Sequence, residues 1–202
     1  MPRVCVFGDS ISRGYHDKEI GGWVNRLRIY FDNSEQYKDI SVYDLSISGD
    51  STVETLKRFD AECSVRNPDV IIFAIGINDS RMSDTTNDHW VPVDKFKNNL
   101  KELATRAKKH SDKVVFVGPN KVEESKTTPI PWDTTENYLN EYVEEYDSLI
   151  QQIADDAEVM YIRMYDLLKD SDLYDGLHPN AEGHRKMFEK VKSELEQSGY
   201  IS

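Results

Sequence analysis

Five short runs of the chain are almost wholly apolar, at residues 3–7, 40–45, 70–75, 113–117 and 159–164. The third, Val70-Ile71-Ile72-Phe73-Ala74-Ile75, has no polar position at all. A strand that alternates apolar and polar residues covers one face, whereas a continuous run is buried on both. Between these runs lie segments whose apolar residues recur at helical spacing, at 22–31, 52–63, 94–110, 136–154 and 180–198. In the fourth, Leu139, Tyr142, Val143, Tyr146, Leu149, Ile150 and Ile153 form one stripe. Strands that alternate with helices predict a parallel sheet reached by right-handed crossovers, so the expected fold is a three-layer α/β/α arrangement around five strands. The longest irregular segment, residues 119–135, carries Pro129, Pro131 and Trp132 and begins directly after the fourth strand. Ligand crevices of open α/β sheets lie at that end of the strands, so a loop of this length there is functional or mobile. The 202 residues suit one domain, 1–202, with this loop as its main excursion.

Charge narrows the choice of partners. The chain holds 37 acidic against 25 basic residues, a net charge of −12. Such a surface repels polyphosphate and anionic lipid, which argues against nucleic-acid binding and points to a small-molecule ligand. No apolar stretch approaches the roughly 20 residues that cross a bilayer, so no membrane insertion is expected. Met1-Pro2-Arg3 runs straight into the first strand without a signal-peptide pattern, and a cytoplasmic location is expected. Cys5 and Cys63 fall in a strand and a helix and are expected to be reduced core thiols. The charge is also uneven: residues 133–175 hold 13 acids against only Arg163 and Lys169. Much of that excess belongs on the outer face of one helix, but the segment runs into Asp175 and could bias a nearby crevice against anions.

Candidate chemistry gathers at strand ends. Gly8-Asp9-Ser10 follows the first strand, where Gly8 permits a sharp turn that presents a serine at the crevice rim. Asp175-Gly176-Leu177-His178-Pro179 precedes the last helix, and an aspartate three residues before a histidine can supply both a base and the carboxylate that orients it. After the second and third strands come Ser48-Gly49-Asp50-Ser51 and Gly76-Ile77-Asn78-Asp79. Gly49 allows close approach of a backbone N–H and Asn78 offers an amide, the donors that a tetrahedral oxyanion needs. Ile11, Trp90 and Trp132 are candidates to line the pocket, while Trp23, spaced with Leu27 and Tyr30, reads as core. His16, His89, His110 and His184 lack paired metal-ligand spacing, and neither CxxC nor a glycine-rich nucleotide cradle is present, so no metal and no cofactor is expected.

Taken together, Gly8-Asp9-Ser10, Gly49, Gly76-Ile77-Asn78-Asp79 and Asp175–His178 resemble the SGNH (GDSL) hydrolases in order and approximate spacing, over residues 4 to about 190. The resemblance implies a flavodoxin-like sheet of order 2-1-3-4-5 and ester hydrolysis through an acyl-serine. It implies Ser10 as nucleophile, His178 as general base and acid, and Asp175 as the orienting carboxylate. The backbone N–H of Ser10, that of Gly49 and the side chain of Asn78 would form the oxyanion hole. Asp44 stands where the family often carries Asn. Two other functions fit the same residues: a non-catalytic flavodoxin-like binding module, and an acyltransferase using the same triad.

Overall fold

The computed structural model describes residues 2–37 and 39–201. Its main sheet is built from β1 (Arg3–Gly8), β2 (Ser41–Asp44), β3 (Val70–Ala74), β6 (Val114–Val117) and β8 (Met160–Ile162). All neighbours are parallel, in the order β2-β1-β3-β6-β8, which is the expected 2-1-3-4-5. A second, antiparallel sheet of two-residue strands joins β5 (Asp88–His89), β4 (Met82–Ser83) and β7 (Glu136–Asn137) in that order. The helices of the described residues are α1 (Gly22–Asn33), α2 (Thr52–Arg66), α3 (Val93–Ala107), the short α4 (Glu124–Thr127), α5 (Asn140–Asp156) and α6 (Ala181–Gln197), with a 3-10 turn at Asp170–Asp172.

The continuous apolar strands are explained by two separate cores. Val4 and Val6 of β1 face Trp23, Leu27 and Phe31 of α1 and Met187, Val191 and Leu195 of α6. Their neighbours Cys5 and Phe7 point the other way, toward Phe59 of α2, Phe96 and Leu100 of α3 and Tyr146 and Ile150 of α5. Both cysteines lie in this second layer, where burial pushes the Cys5 thiol up to about 11 and the Cys63 thiol up to about 12. Among the described residues no helix is long and apolar enough to cross a membrane.

Local signals set the helix starts. Ser51 and Glu54 form a reciprocal capping box at α2, and Asn180 accepts the N–H groups of Glu182 and Gly183 at α6. The helix expected from residue 136 begins instead at Asn140. Residues 136–139 are claimed by tertiary bonds: β7 pairs with β4, the Glu136 carboxylate lies 3.2 Å from Arg81, and the Tyr138 N–H donates to Thr127. The long segment 119–135 is correspondingly well tied down. Asn140 bonds both the N–H and the carbonyl of Val122, Thr127 Oγ1 donates to the Tyr138 carbonyl, and Val122, Thr127 and Ile130 are buried.

Candidate active site

The carboxyl ends of β1, β2 and β3 and the loop before α6 converge on one cleft of about 510 Å³. Gly8 ends β1 because a Cβ there would lie 2.4 Å from that of Ser12. The chain then turns, and the Asp9 carboxylate receives the Ile11 N–H at 2.8 Å. Asp9 is fully buried, and that burial pushes its carboxyl up to about 6 against the opposing hydrogen bond. This turn leaves the Ser10 hydroxyl in the cleft, 2.9 Å from His178 Nε2.

On the other side of the imidazole, His178 Nδ1 lies 2.8 Å from Asp175 Oδ2. Asp175 Oδ1 receives the N–H groups of Leu177 at 3.0 Å and His178 at 2.8 Å. Burial alone would raise this carboxyl, but the His178 side chain, its N–H and that of Leu177 outweigh burial and hold it far below the usual carboxylate range. Asp175 is therefore a fixed negative charge at neutral pH. Gly176 makes the tight loop possible, with φ at +94° and its carbonyl accepting the Glu123 N–H from the 119–135 segment at 2.8 Å.

Opposite the histidine stand the amide donors. Gly49 has φ of +89° and open space around its α-carbon. Among the described residues, neither its N–H nor that of Ser10 donates to a loop or turn carbonyl. The Asn78 amide is pinned at both ends: Nδ2 donates to the Asp50 carbonyl at 2.9 Å, and Oδ1 accepts the Tyr138 hydroxyl at 3.0 Å. The second Nδ2 hydrogen is left for the cleft, which Asn78 lines. A hydroxyl beside an imidazole held by a carboxylate can lose its proton as its oxygen attacks, and three N–H groups nearby can receive the negative charge that develops.

The three candidate pocket residues fare differently. Trp132 lines the cleft, its ring 6.0 Å from that of His178. Trp90 does not; it stacks under the Arg81 guanidinium at 4.2 Å on the outer side, and Arg81 takes the cleft-lining place. Ile11 is also elsewhere, buried in the core that includes Met187, where it borders a void of about 20 Å³ at the carboxyl ends of β1, β3 and β6. The turn that exposes Ser10 sends the next side chain inward. Trp23 is fully buried, as its helical spacing predicts.

Sequence reading leaves out several lining residues: Arg13, Tyr15, His16, Arg81 and Tyr138. His16, Tyr15 and Arg13 follow Ser10 within six positions, a proximity that the sequence offers as a hint but no spacing rule uses. The cleft is also less acidic than the 133–175 count suggests, since it holds Arg13 and Arg81 against Asp175 alone. Other acids of that segment are spent on ion pairs, Asp147 with Arg163, Asp166 with Lys121 and Asp172 with Lys186. Among the described residues, His16, Asp175 and His178 are the group whose ligand atoms come close enough for a metal ion, within 4.8 Å; His178 is hydrogen-bonded to Asp175 and His16 lies 3.2 Å from it.

Known proteins share this architecture. The isoamyl acetate-hydrolyzing esterase 1 homolog of Homo sapiens is 25% identical over 201 residues, covering 93% of this chain and 78% of that protein. The lipase/acylhydrolase from Enterococcus faecalis superposes with a TM-score of 0.79 at 21% identity, over 100% of this chain and 98% of its own. An acetylxylan esterase from Geobacillus stearothermophilus gives a TM-score of 0.76 at 19% identity, over 96% and 94% of the two chains. The family model of the GDSL-like lipases and acylhydrolases matches residues 6–186, and the chain belongs to that family.

Proposed function

We propose that this esterase hydrolyses small acyl esters, acetates foremost, through an acyl-serine intermediate. The observation that carries the reading is the unbroken chain from Ser10 Oγ through His178 to the buried side of Asp175, open to a cleft on the serine side. Ser10 Oγ attacks the ester carbonyl while His178 Nε2 takes its proton, and Asp175 stabilises the imidazolium without being protonated. The carbonyl oxygen becomes an oxyanion that receives the Ser10 and Gly49 N–H groups and the free Asn78 hydrogen. As the tetrahedral intermediate collapses, His178 returns the proton to the departing alcohol and the acyl group stays on Ser10. Water, deprotonated by His178, then attacks the acyl-serine; the carboxylic acid leaves and Ser10 regains its proton.

Acetate is the acyl group common to the isoamyl acetate-hydrolyzing homolog and the acetylxylan esterase. The alcohol portion would lie toward the exposed rings of Tyr15 and Trp132 at the cleft mouth. The whole chain serves as one hydrolase domain, with residues 119–135 forming a wall of the cleft through Trp132, and it works without a cofactor. The test is a chromogenic ester panel from acetyl to longer acyl groups, run on the protein and on Ser10→Ala. Ser10→Ala should lose turnover by at least about a thousandfold while keeping its fold, and a fluorophosphonate should add one adduct, on Ser10. Undiminished hydrolysis by the variant rejects the assignment.

A further inference from the structure

His16 lies outside the Ser10, His178 and Asp175 relay, yet its Nε2 is 3.2 Å from the same Asp175 oxygen that holds His178. The other described bonds to Asp175 come from its own loop, from the N–H groups of Leu177 and His178 and from the His178 ring. Those bonds move with the loop. Among the described residues, His16 is the one whose polar contact reaches Asp175 from a different element, the turn after β1 that also carries Ser10.

That turn is itself rigid. The Tyr15 N–H donates to the Ser10 carbonyl at 3.0 Å, and Asp17, next to His16, receives the Gly22 N–H at 2.9 Å and Arg26 at 3.0 Å. His16 adopts φ of +69°, a backbone region uncommon for a residue with a side chain. Its ring is stacked on Tyr174 of the Asp175 loop at 4.0 Å and 17° and meets Tyr15 of the Ser10 turn at 4.3 Å and 60°, so it touches rings from both elements. His16 Nε2 thus meets the carboxylate as a close polar contact at 3.2 Å.

We infer that His16 is a positioning residue: a second imidazole on Asp175 that braces the loop bearing His178 and Asp175 against the turn bearing Ser10. It keeps serine and base in register. The inference rests on the esterase reading above and deepens it. Proton transfer from Ser10 depends on the 2.9 Å approach of its hydroxyl to His178, and small misplacements of reacting groups are costly in rate.

The experiment compares His16→Phe, which keeps a ring against Tyr174 but has no polar edge toward Asp175, with His16→Gln, which restores a polar group there. Each is made in the native protein and in Asp175→Asn, with p-nitrophenyl acetate as substrate and circular dichroism melting to record folding. In the native background His16→Phe should lower kcat about tenfold, the scale of a small misplacement of serine against base, with KM within about twofold. His16→Gln should recover most of that loss. In the Asp175→Asn background His16→Phe should cost less than about twofold, because its partner no longer carries charge. An equal loss in both backgrounds, a rise in KM alone, or native kcat in His16→Phe overturns the brace while leaving the esterase reading intact. Full activity of Ser10→Ala overturns both. A His16→Phe variant that melts early is judged on His16→Gln, whose failure to exceed His16→Ala in kcat also overturns the proposal.

Discussion

Replacing Tyr138 by Phe removes one oxygen, and the loss should reach the chemistry through Asn78. The Tyr138 ring is 2% exposed, and its hydroxyl is the described partner of Asn78 Oδ1. Without it, a buried amide oxygen is left unsatisfied, which costs roughly 1–3 kcal/mol. The same bond also sets the rotamer: with Oδ1 held by Tyr138 and one Nδ2 hydrogen on Asp50, the amide presents a donor to the cleft. Loss of an entire oxyanion donor costs about 10²–10³ in kcat, which bounds the effect as the Asn78→Ala result. Tyr138→Phe leaves the Asp50 anchor, so a fall of about tenfold is expected, together with a lowering of Tm by about 2–4 °C per kcal/mol lost for a protein of this size. The assay is kcat and KM on p-nitrophenyl acetate for Tyr138→Phe, Asn78→Ala and the double variant, with thermal melts. In the double variant Tyr138→Phe should cost almost nothing further in kcat. A native kcat in Tyr138→Phe, or an undiminished cost in the absence of the Asn78 amide, refutes the reasoning even if stability falls.

Two further outcomes follow from backbone and charge. At Gly176 an added Cβ would stand 2.7 Å from Lys126 Cβ at a φ of +94°, so Gly176→Ala should lower stability by roughly 1–3 kcal/mol and kcat with it; urea unfolding and turnover both read this, and native values in both reject the clasp between segment 119–135 and the Asp175 loop. Asp79 is fully buried, and burial pushes its carboxyl up to about 7 in spite of hydrogen bonds from Thr52. The folded state thus holds the Asp79 proton more tightly than the unfolded one, whose carboxyl titrates near 4. Stability from this group is full below about pH 4 and is lost as pH rises through about 7. Melts between pH 5 and pH 8 should therefore show a smaller decline in Asp79→Asn than in the native protein, and an equal decline would exclude Asp79 as its source.

The strands and the main helices are legible because the central strands pack on two sides, whereas the strand order is what the family resemblance implies. Val4 and Val6 serve one core and Cys5 and Phe7 the other, which forces an unbroken apolar run. The antiparallel sheet gave no such signal. Met82-Ser83, Asp88-His89 and Glu136-Asn137 are too short for any period to show, and the acids at the head of α5 read as helix until Arg81 and Thr127 claim residues 136–138. Asp175 and His178 share one loop, so their contact is local and readable. The partners of Asn78 and Asp175 in Tyr138 and His16 are long-range and depend on how loops stack above the sheet, where neither spacing nor composition specifies a neighbour.

Segment 119–135 shows how far the local signal can mislead. Its prolines and polar residues describe a loop, and its length suggests mobility, yet its buried side chains Val122, Thr127 and Ile130 fall at irregular intervals that no helix or strand template detects. Its order comes from bonds to distant groups: Asn140 on Val122, the Tyr138 carbonyl on Thr127, and the Gly176 carbonyl on Glu123. The last two tie one segment to both sides of the cleft, to the residue that orients Asn78 and to the loop that carries Asp175 and His178. An insertion chosen for substrate contact alone would need only its exposed tip, Trp132. The buried anchors mean that a change in this segment reaches Asn78 and His178 together, so under the proposed mechanism substitutions at Thr127 should alter kcat as well as the choice of ester.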